Sequence, residues 1–382
     1  MVAGSTFSVP QDFSDALDDL LYGVCEQLQL SDARYDLAVG RYNTLNKVLE
    51  SAESPFRYFR PEIYPQGSMA LGTTVKPIDG SPHDLDFVLQ LSRDHNAVDP
   101  MDLIETLYQF LHQHAIYGSM TERKNRCVRI EYADDFYMDV LPACLNLAVS
   151  GTCVKIPDCS AQGWADSNPL GYIAWFKGRT RVLKVQRIFD SAAPIPPQQA
   201  VGDKETLKLA VQLFKRWRDL YYAKGDPKLA PISIVLTTLA ADTYKGERSV
   251  SKALESILRG IIRLIDESRR KGEKRLRVEN FSNPAEDLSE RWDSNQAAYA
   301  AFEKGIRAFG DRWSRLLVRD GGVDGELKEL FGEPVATVLK KRASQFQELR
   351  SKGKLGISPS GAIATVSAAI IPARPNTFYG KE

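Results

Sequence analysis

Between residues 11 and 54 apolar side chains recur every three or four positions. Phe13, Leu17, Leu20, Leu21, Val24 and Leu28 form one stripe, and Leu37, Tyr42, Leu45, Val48 and Leu49 form a second. This period predicts two amphipathic helices, the second capped by the Ser31 hydroxyl. They read as a scaffold packed behind the lobe that follows. Pro55, Pro61 and Pro65 break the helical period and lead to Gln66-Gly67-Ser68, with a short helix expected from Met69. The pattern then changes. Asp84-Leu85-Asp86-Phe87-Val88-Leu89-Gln90-Leu91 alternates as a strand, with Leu85, Phe87, Leu89 and Leu91 on one face and both aspartates on the other. Asp99-Pro100 supplies an N-cap and an N1 proline for a helix through Leu103, Leu107, Phe110 and Leu111. Residues 128–132 and 136–142 read as a hairpin turning at Asp134-Asp135.

Residues 150–200 are rich in Gly, Pro, Ser and Asn with isolated aromatics, and read as a flanking loop followed by a linker around Pro194-Ile195-Pro196-Pro197. Helical stripes return afterwards. Leu207, Ala210, Val211, Phe214, Trp217 and Tyr221 mark one helix, and a second runs from Pro231 through Ile234, Val235 and Leu239. Ser249 caps a third through Val250, Leu254, Ile257, Ile261 and Ile265. Asn283-Pro284 predicts the start of a fourth, running through Leu288, Trp292 and Phe302, and a further helix is expected over about 335–350. The tail from 355 to 382 carries no helical stripe. The fold class is therefore α+β, with a first lobe over 1–200 and a helical lobe over 201–382.

The chemistry concentrates in the first lobe. Asp84 and Asp86 on one strand face repel each other unless a cation lies between them, and Mg²⁺ is the hard, oxygen-seeking candidate. Gly67 and Ser68 offer backbone amides and a hydroxyl to a phosphate, and a side chain at Gly67 would hold a ligand off. Asp139 is a lone acid in an apolar strand, costly unless it joins a charged site, so it is expected to complete a three-carboxylate cluster. The bland alternatives are a chance Gly-Ser turn, a solvent-facing acid and, for Lys215, a solvated helix face.

Composition narrows this further. At 382 residues with 43% hydrophobic and 26% charged positions the chain is ordinary globular protein, and its formal charge of +1 gives no long basic track for nucleic acid. Lys and Arg are enriched over about 204–280, which could face a polyphosphate. No apolar run approaches a membrane span, and the first residues lack a signal-peptide pattern. Five cysteines without a CxxC pair are expected to be free thiols in a cytoplasmic protein rather than a disulfide framework or a zinc site.

Taken together, Gly67-Ser68-Met69-Ala70-Leu71-Gly72-Thr73, Asp84-Leu85-Asp86 and Asp139 resemble the nucleotidyltransferase signature in the form found in the bacterial cGAS/DncV-like nucleotidyltransferases, the CD-NTases. The resemblance extends to Ile156-Pro157-Asp158, Asn168-Pro169-Leu170-Gly171-Tyr172, Leu213-Phe214-Lys215-Arg216-Trp217-Arg218, Asn283-Pro284 and Phe378-Tyr379-Gly380. It implies a polymerase-beta-like lobe with a mixed or antiparallel sheet, a helical lobe, and an active site in the cleft between them. It also implies a Mg²⁺-dependent enzyme, using two ions with Mn²⁺ as a substitute, that joins ATP or GTP into a cyclic di- or trinucleotide messenger for anti-phage (CBASS) defence. Asp84, Asp86 and Asp139 would be the catalytic metal ligands, and Gln66, Gly67, Ser68, Lys215 and Ser233 would contact the nucleotide. In the animal relative an aromatic residue follows the serine matched by Ser233 and stacks on a base; here Ile234 stands there, leaving Tyr222 and Tyr244 as aromatic candidates. The partners implied are nucleoside triphosphates and an effector reached through the product, with a monomeric enzyme, no membrane and no stable nucleic-acid partner. Two other readings stay open: an RNA- or tRNA-tailing or macromolecule-modifying nucleotidyltransferase, and a non-catalytic nucleotide sensor.

Overall fold

The strand that carries Asp84 and Asp86 lies inside a seven-stranded sheet, in a computed structural model describing residues 13–78, 80, 82–133, 136–149, 151–180, 193–318, 322–357, 363–365 and 371–372. The expected turn at Asp134-Asp135 and the terminal Phe378-Tyr379-Gly380 lie outside the described residues. The chain begins with helices α1 (Phe13–Leu28) and α2 (Asp32–Leu49), then β1 (Glu62–Pro65), α3 (Gly67–Leu71), β2 (His83–Asp94) and α4 (Pro100–Gln113). Strands β3 (Thr121–Arg123), β4 (Val128–Tyr132), β5 (Phe136–Leu145), β6 (Val154–Asp158) and β7 (Gly163–Ser167) follow, and α5 (Pro169–Arg179) closes this part. The sheet order is β1-β2-β5-β4-β3, with β6 joining β5 and β7 joining β6; β2 and β5 are parallel and the other pairs antiparallel.

The alternation read from sequence explains how β2 is held. Leu85, Phe87, Leu89 and Leu91 pack with α2 and α4, where the Tyr42 and Phe87 rings stack 4.7 Å apart. The opposite face is apolar only farther along, where Val88 meets Tyr64, Ala143, Val154 and Ile156. Near its start that same face carries the two aspartates and opens to the cleft. Caps fall where the side chains predict them: Ser31 accepts from Arg34 N–H, and Asp99 from Met101 and Asp102 N–H.

Helices α6 (Thr206–Ala223), α7 (Ser233–Thr243), α8 (Val250–Arg270), α9 (Arg291–Ser294), α10 (Gln296–Leu317), α11 (Val323–Phe331) and α12 (Glu333–Ser351) build the helical lobe. A hairpin of β8 (Glu279–Asn280) and β9 (Asn283–Asp287) interrupts it, and β10 (Leu355–Ile357), β11 (Ile363–Thr365) and β12 (Ile371–Pro372) pair after it. Helix α8 buries Val250, Leu254, Ile257, Leu258, Ile261 and Ile265, each worth about 1.5–3 kcal/mol of transfer free energy before entropy is counted.

Several expectations are corrected. Asn283-Pro284 begins an edge strand rather than a helix; proline is tolerated at such an edge, and the helix cap is Asn295, whose side chain accepts from Ala298 N–H. The stretch read as a loop contains the β6–β7 hairpin and α5, where Asn168 caps and Pro169 occupies the first turn. Helix α11 was not anticipated. Helix α1 does not sit behind the sheet lobe: Leu17, Leu21, Val24, Cys25 and Leu28 lie in the helical core beside α6, α8 and α12. Helix α5 joins that core through Tyr172 and Phe176. Arg179 at its end donates to the Ala241, Asp242 and Tyr244 carbonyls at 2.7, 3.0 and 2.8 Å, satisfying the open C-terminus of α7.

Candidate active site

Strand β1 runs antiparallel to β2 with Pro65 opposite Phe87, so the chain leaving β1 turns beside Asp86. Gln66 N–H donates to the Asp86 carbonyl at 2.8 Å. Gly67 follows with φ +58°, and a Cβ there would stand 2.3 Å from Asp86 Oδ2. Glycine is thus required by the left-handed backbone and by the neighbouring carboxylate, and not by ligand approach alone. Ser68 is the second residue of a helix of only five, too short to add up much of a dipole, so its contribution is its hydroxyl and the local amides.

The three acids lie on one face of the sheet. Asp86 and Asp139 are register partners on the parallel strands β2 and β5, and Asp84 lies two residues back on the same face. Burial pushes the Asp86 carboxyl up to about 7, helped by the negative charges of Asp139 and Asp84 and opposed by Lys215 and Arg129. The Asp84 side chain is 68% open to the water of the cleft, yet desolvation by the surrounding walls still raises its pKa against the pull of Arg129.

Arg129 was missed in the sequence. It donates through Nε and Nη2 to the two Asp139 oxygens, both at 2.7 Å, and its Nη2 lies 3.7 Å from Asp84 Oδ1. The hairpin register sets Arg129 directly opposite Asp139, one residue away from the pairing that a turn at 134–135 would give.

The far wall comes from α6, where Lys215, Arg218, Asp219 and Tyr222 recur at helical spacing and line the cavity. Lys215 is not a solvated surface lysine. It is 7% exposed, and its Nζ donates to the Thr73 carbonyl at 3.2 Å and the Thr73 hydroxyl at 3.3 Å. Burial lowers its pKa to about 8, Arg218 adding to the effect and Asp86 and Asp219 opposing it. Ser233, the first residue of α7, accepts from the Arg218 guanidinium. Gln212 Nε2 donates to the Thr74 carbonyl at 2.7 Å, tying α6 to the chain that leaves α3.

Gln66, Gly67, Ser68, Asp84, Asp86, Asp139, Lys215 and Ser233 therefore all line one cavity of about 1010 Å³. Its size is at the upper end of small-molecule sites, which run to about 1,000 Å³. Ile234 and Tyr222 line it too, but Tyr222 is only 4% exposed and offers little ring face. Tyr244 does not serve as expected: its ring is in the helical core and its hydroxyl donates to the Glu247 carbonyl at 2.6 Å. Tyr137, unremarked in the sequence, presents its ring to the cavity beneath Arg129, 4.6 Å from centroid to guanidinium carbon.

Asp84, Asp86 and Asp139 are the hard oxygen donors that could hold a divalent cation, lining one cleft whose burial raises the Asp86 pKa. Among the described residues no three acidic, His or Cys side chains converge on a ready metal cage. All five cysteines are free, three of them buried. Among the described residues no helix is long and apolar enough to cross a membrane.

Residues 16–179 match the Second Messenger Oligonucleotide or Dinucleotide Synthetase domain. The chain is 31% identical to a c-di-GMP synthase of Roseivirga ehrenbergii over 374 residues, covering 95% of this chain and 97% of the relative. It is 27% identical to the cyclic dinucleotide synthase CdnG of Bradyrhizobium diazoefficiens over 413 residues, covering 97% of each. The solved structure of that CdnG in complex with GTP superposes with a TM-score of 0.69 at 24% identity, over 86% of this chain and 99% of the other. Escherichia coli CdnC in its HORMA complex gives 0.60 at 14% identity, over 83% and 97%. These structures share the α+β fold.

Proposed function

Since the chain belongs to the cGAS/DncV-like nucleotidyltransferases, we propose that it joins two molecules of GTP into a cyclic dinucleotide and releases two pyrophosphates. The observation that carries this reading is the meeting of Asp84, Asp86 and Asp139 with the Ser68 turn and buried Lys215 in one cavity. The names of the relatives support the base and the ring size, since one is a c-di-GMP synthase and the other a cyclic dinucleotide synthase.

Two Mg²⁺ ions, or Mn²⁺ in their place, held by Asp84, Asp86 and Asp139, would supply a metal-lowered hydroxyl pKa and charge neutralisation at the leaving pyrophosphate. The chain's own groups do the positioning. The Ser68 hydroxyl and the amides of Gly67 and Ser68 donate to the donor triphosphate, with Gln66 beside them. Lys215 adds a positive charge from the opposite wall, and Ser233 with Arg218 extends that wall. The acceptor ribose hydroxyl attacks the α-phosphorus of the donor, forming an O–P bond as the bond to pyrophosphate breaks. Its proton leaves to a carboxylate or to water. The linear dinucleotide then reorients, and a second transfer of the same kind closes the ring.

The protein would act as a cytoplasmic monomer away from membranes, its product switching on an effector in anti-phage defence. An RNA-tailing role fits less well, because a formal charge of +1 leaves little counter-charge for a polyanion. A non-catalytic sensor has no use for a carboxylate cluster that raises its own pKa. Incubation with labelled GTP and Mg²⁺ and no acceptor separates these. The proposal expects pyrophosphate and a small phosphatase-resistant product; extended linear chains would indicate tailing, and no pyrophosphate a sensor.

A pH profile follows from the two shifted groups. In the free enzyme kcat/KM for GTP should rise as pH climbs through about 7, where Asp86 loses its proton, and fall through about 8, where Lys215 loses its own. Bound metal and triphosphate favour the charged form of each, so the kcat profile should be wider on both sides. A kcat/KM flat from pH 6 to pH 9 would contradict these assignments.

A further inference from the structure

The mechanism above leaves one polar wall of the cavity unused. It is built by Ser167 at the end of β7 and by Asn280 and Glu286 of the β8–β9 hairpin, all of which line the same space as the aspartates. The carboxylate there is held from several sides. Asn280 Nδ2 donates to Glu286 Oε2 at 2.8 Å, the Ser167 hydroxyl approaches Oε1 at 3.4 Å, and the Asn168 N–H also donates to it. Asn280 is itself fixed, its Oδ1 accepting from Ser282 N–H at 2.9 Å and from the Ser282 hydroxyl at 2.7 Å. Asn168 Nδ2 donates to the Ser282 carbonyl at 2.9 Å, pinning the hairpin to the start of α5.

We propose that Glu286, oriented by Asn280 and Ser167, selects guanine at one base position of the cavity. This rests on the reading of the cavity as a GTP site and says how the base is chosen. An ionised carboxylate has about four acceptor positions and no donor. The Asn280 amide and the Asn168 N–H use two of these positions, and the Ser167 hydroxyl, at 3.4 Å, holds a third only loosely, so a ligand's donor pair can take that position together with the fourth. Guanine presents N1–H and N2–H side by side, a parallel pair of donors matching a carboxylate. Adenine presents a lone pair at N1 beside its amino group, so the same contact would set a lone pair against a buried negative charge. A site built to receive two donors rejects a ligand lacking them far more strongly than an apolar pocket rejects a misfit. The rival role for Glu286 is a structural pin joining the hairpin to the sheet lobe, and that role is indifferent to the base.

The test is calorimetric titration of the full chain, in Mg²⁺, with unreactive α,β-methylene analogues of GTP, ITP and ATP. The wild type should bind the guanine analogue at least about tenfold more tightly than the adenine one, with the ITP analogue between them because it keeps N1–H and lacks the 2-amino group. In Glu286→Gln the guanine affinity should fall by about tenfold or more, the GTP–ITP difference should vanish, and ATP affinity should hold or rise, since the amide can donate to adenine N1. Glu286→Asp keeps the charge but withdraws it, and should show the same guanine-selective loss if the glutamine variant does not fold. If folded variants keep the wild-type GTP-to-ATP ratio, or lose both ligands equally, the proposal is overturned while the GTP site stands. If the wild type itself binds no nucleotide, or prefers adenine, the GTP reading fails first.

Discussion

Replacing Asp86 with asparagine is expected to stop nucleotide transfer and, at the same time, to raise the melting temperature of the metal-free protein. Product should fall by about a thousandfold or more, because the carboxylate at the centre of the metal-binding group is gone. The stability change follows from the same group. The Asp86 pKa is about 7 in the folded chain against an ordinary value of 3.8. A carboxyl whose pKa is raised by folding holds its proton more tightly in the folded state, so stability declines as pH rises from about 4 to about 7. Three pKa units correspond to at most about 4 kcal/mol. The asparagine variant avoids that loss. In EDTA at pH 8 it should melt several degrees above wild type, and the gap should close at pH 4, where Asp86 carries its proton. An active variant, or one that melts below wild type at pH 8, would sink the reading of this cluster.

Gly67→Ala is the second large effect. Alanine must adopt φ +58° and place its Cβ where Asp86 Oδ2 now stands, 2.3 Å away. The left-handed backbone alone costs about 1–2 kcal/mol, and relieving the clash moves either the turn or the carboxylate. Turnover should fall at least about a hundredfold. Gly72→Ala is the control: its φ of +70° imposes a similar backbone cost, but the nearest side-chain atom is Lys208 Cδ at 3.6 Å. It should lose about 1 kcal/mol of stability and keep most of its activity. Equal activity losses in the two variants would show that strain, rather than the position of Asp86, limits the reaction.

Much of this site was legible because its residues are set by local patterns. The alternation of β2 placed Asp84 and Asp86 on one face, and a lone acid in an apolar strand marked Asp139. Lys215 required the tertiary fold: on α6 it looks like any amphipathic lysine, and only packing against Thr73 buries it. Arg129 did not lie within reach either, since a turn at 134–135 pairs position 129 with 140, whereas the observed register sets Tyr132 opposite Phe136 and Arg129 opposite Asp139. Nor did Glu286, because Asn283-Pro284 imitates a helix start and the hairpin is fixed through its turn residue Ser282 by Asn168, 114 residues away in the chain. The missed β6–β7 hairpin and α5 share one cause. A stretch rich in Gly, Pro and Asn was read by composition, although Asn168-Pro169 repeats the signal correctly taken at Asp99-Pro100. Helix α1 is the helix its stripe predicts but not where it was expected, behind the first lobe, because a stripe shows that a face is buried without showing against what.

The most direct test is the mass spectrum of the product formed from an equimolar mixture of all four NTPs with Mg²⁺. The proposed function predicts a single dominant species with the mass of two guanosine monophosphates joined in a ring, absent in EDTA and absent with Asp86→Asn. A ladder of linear products, or a cyclic product without guanine, would contradict the account.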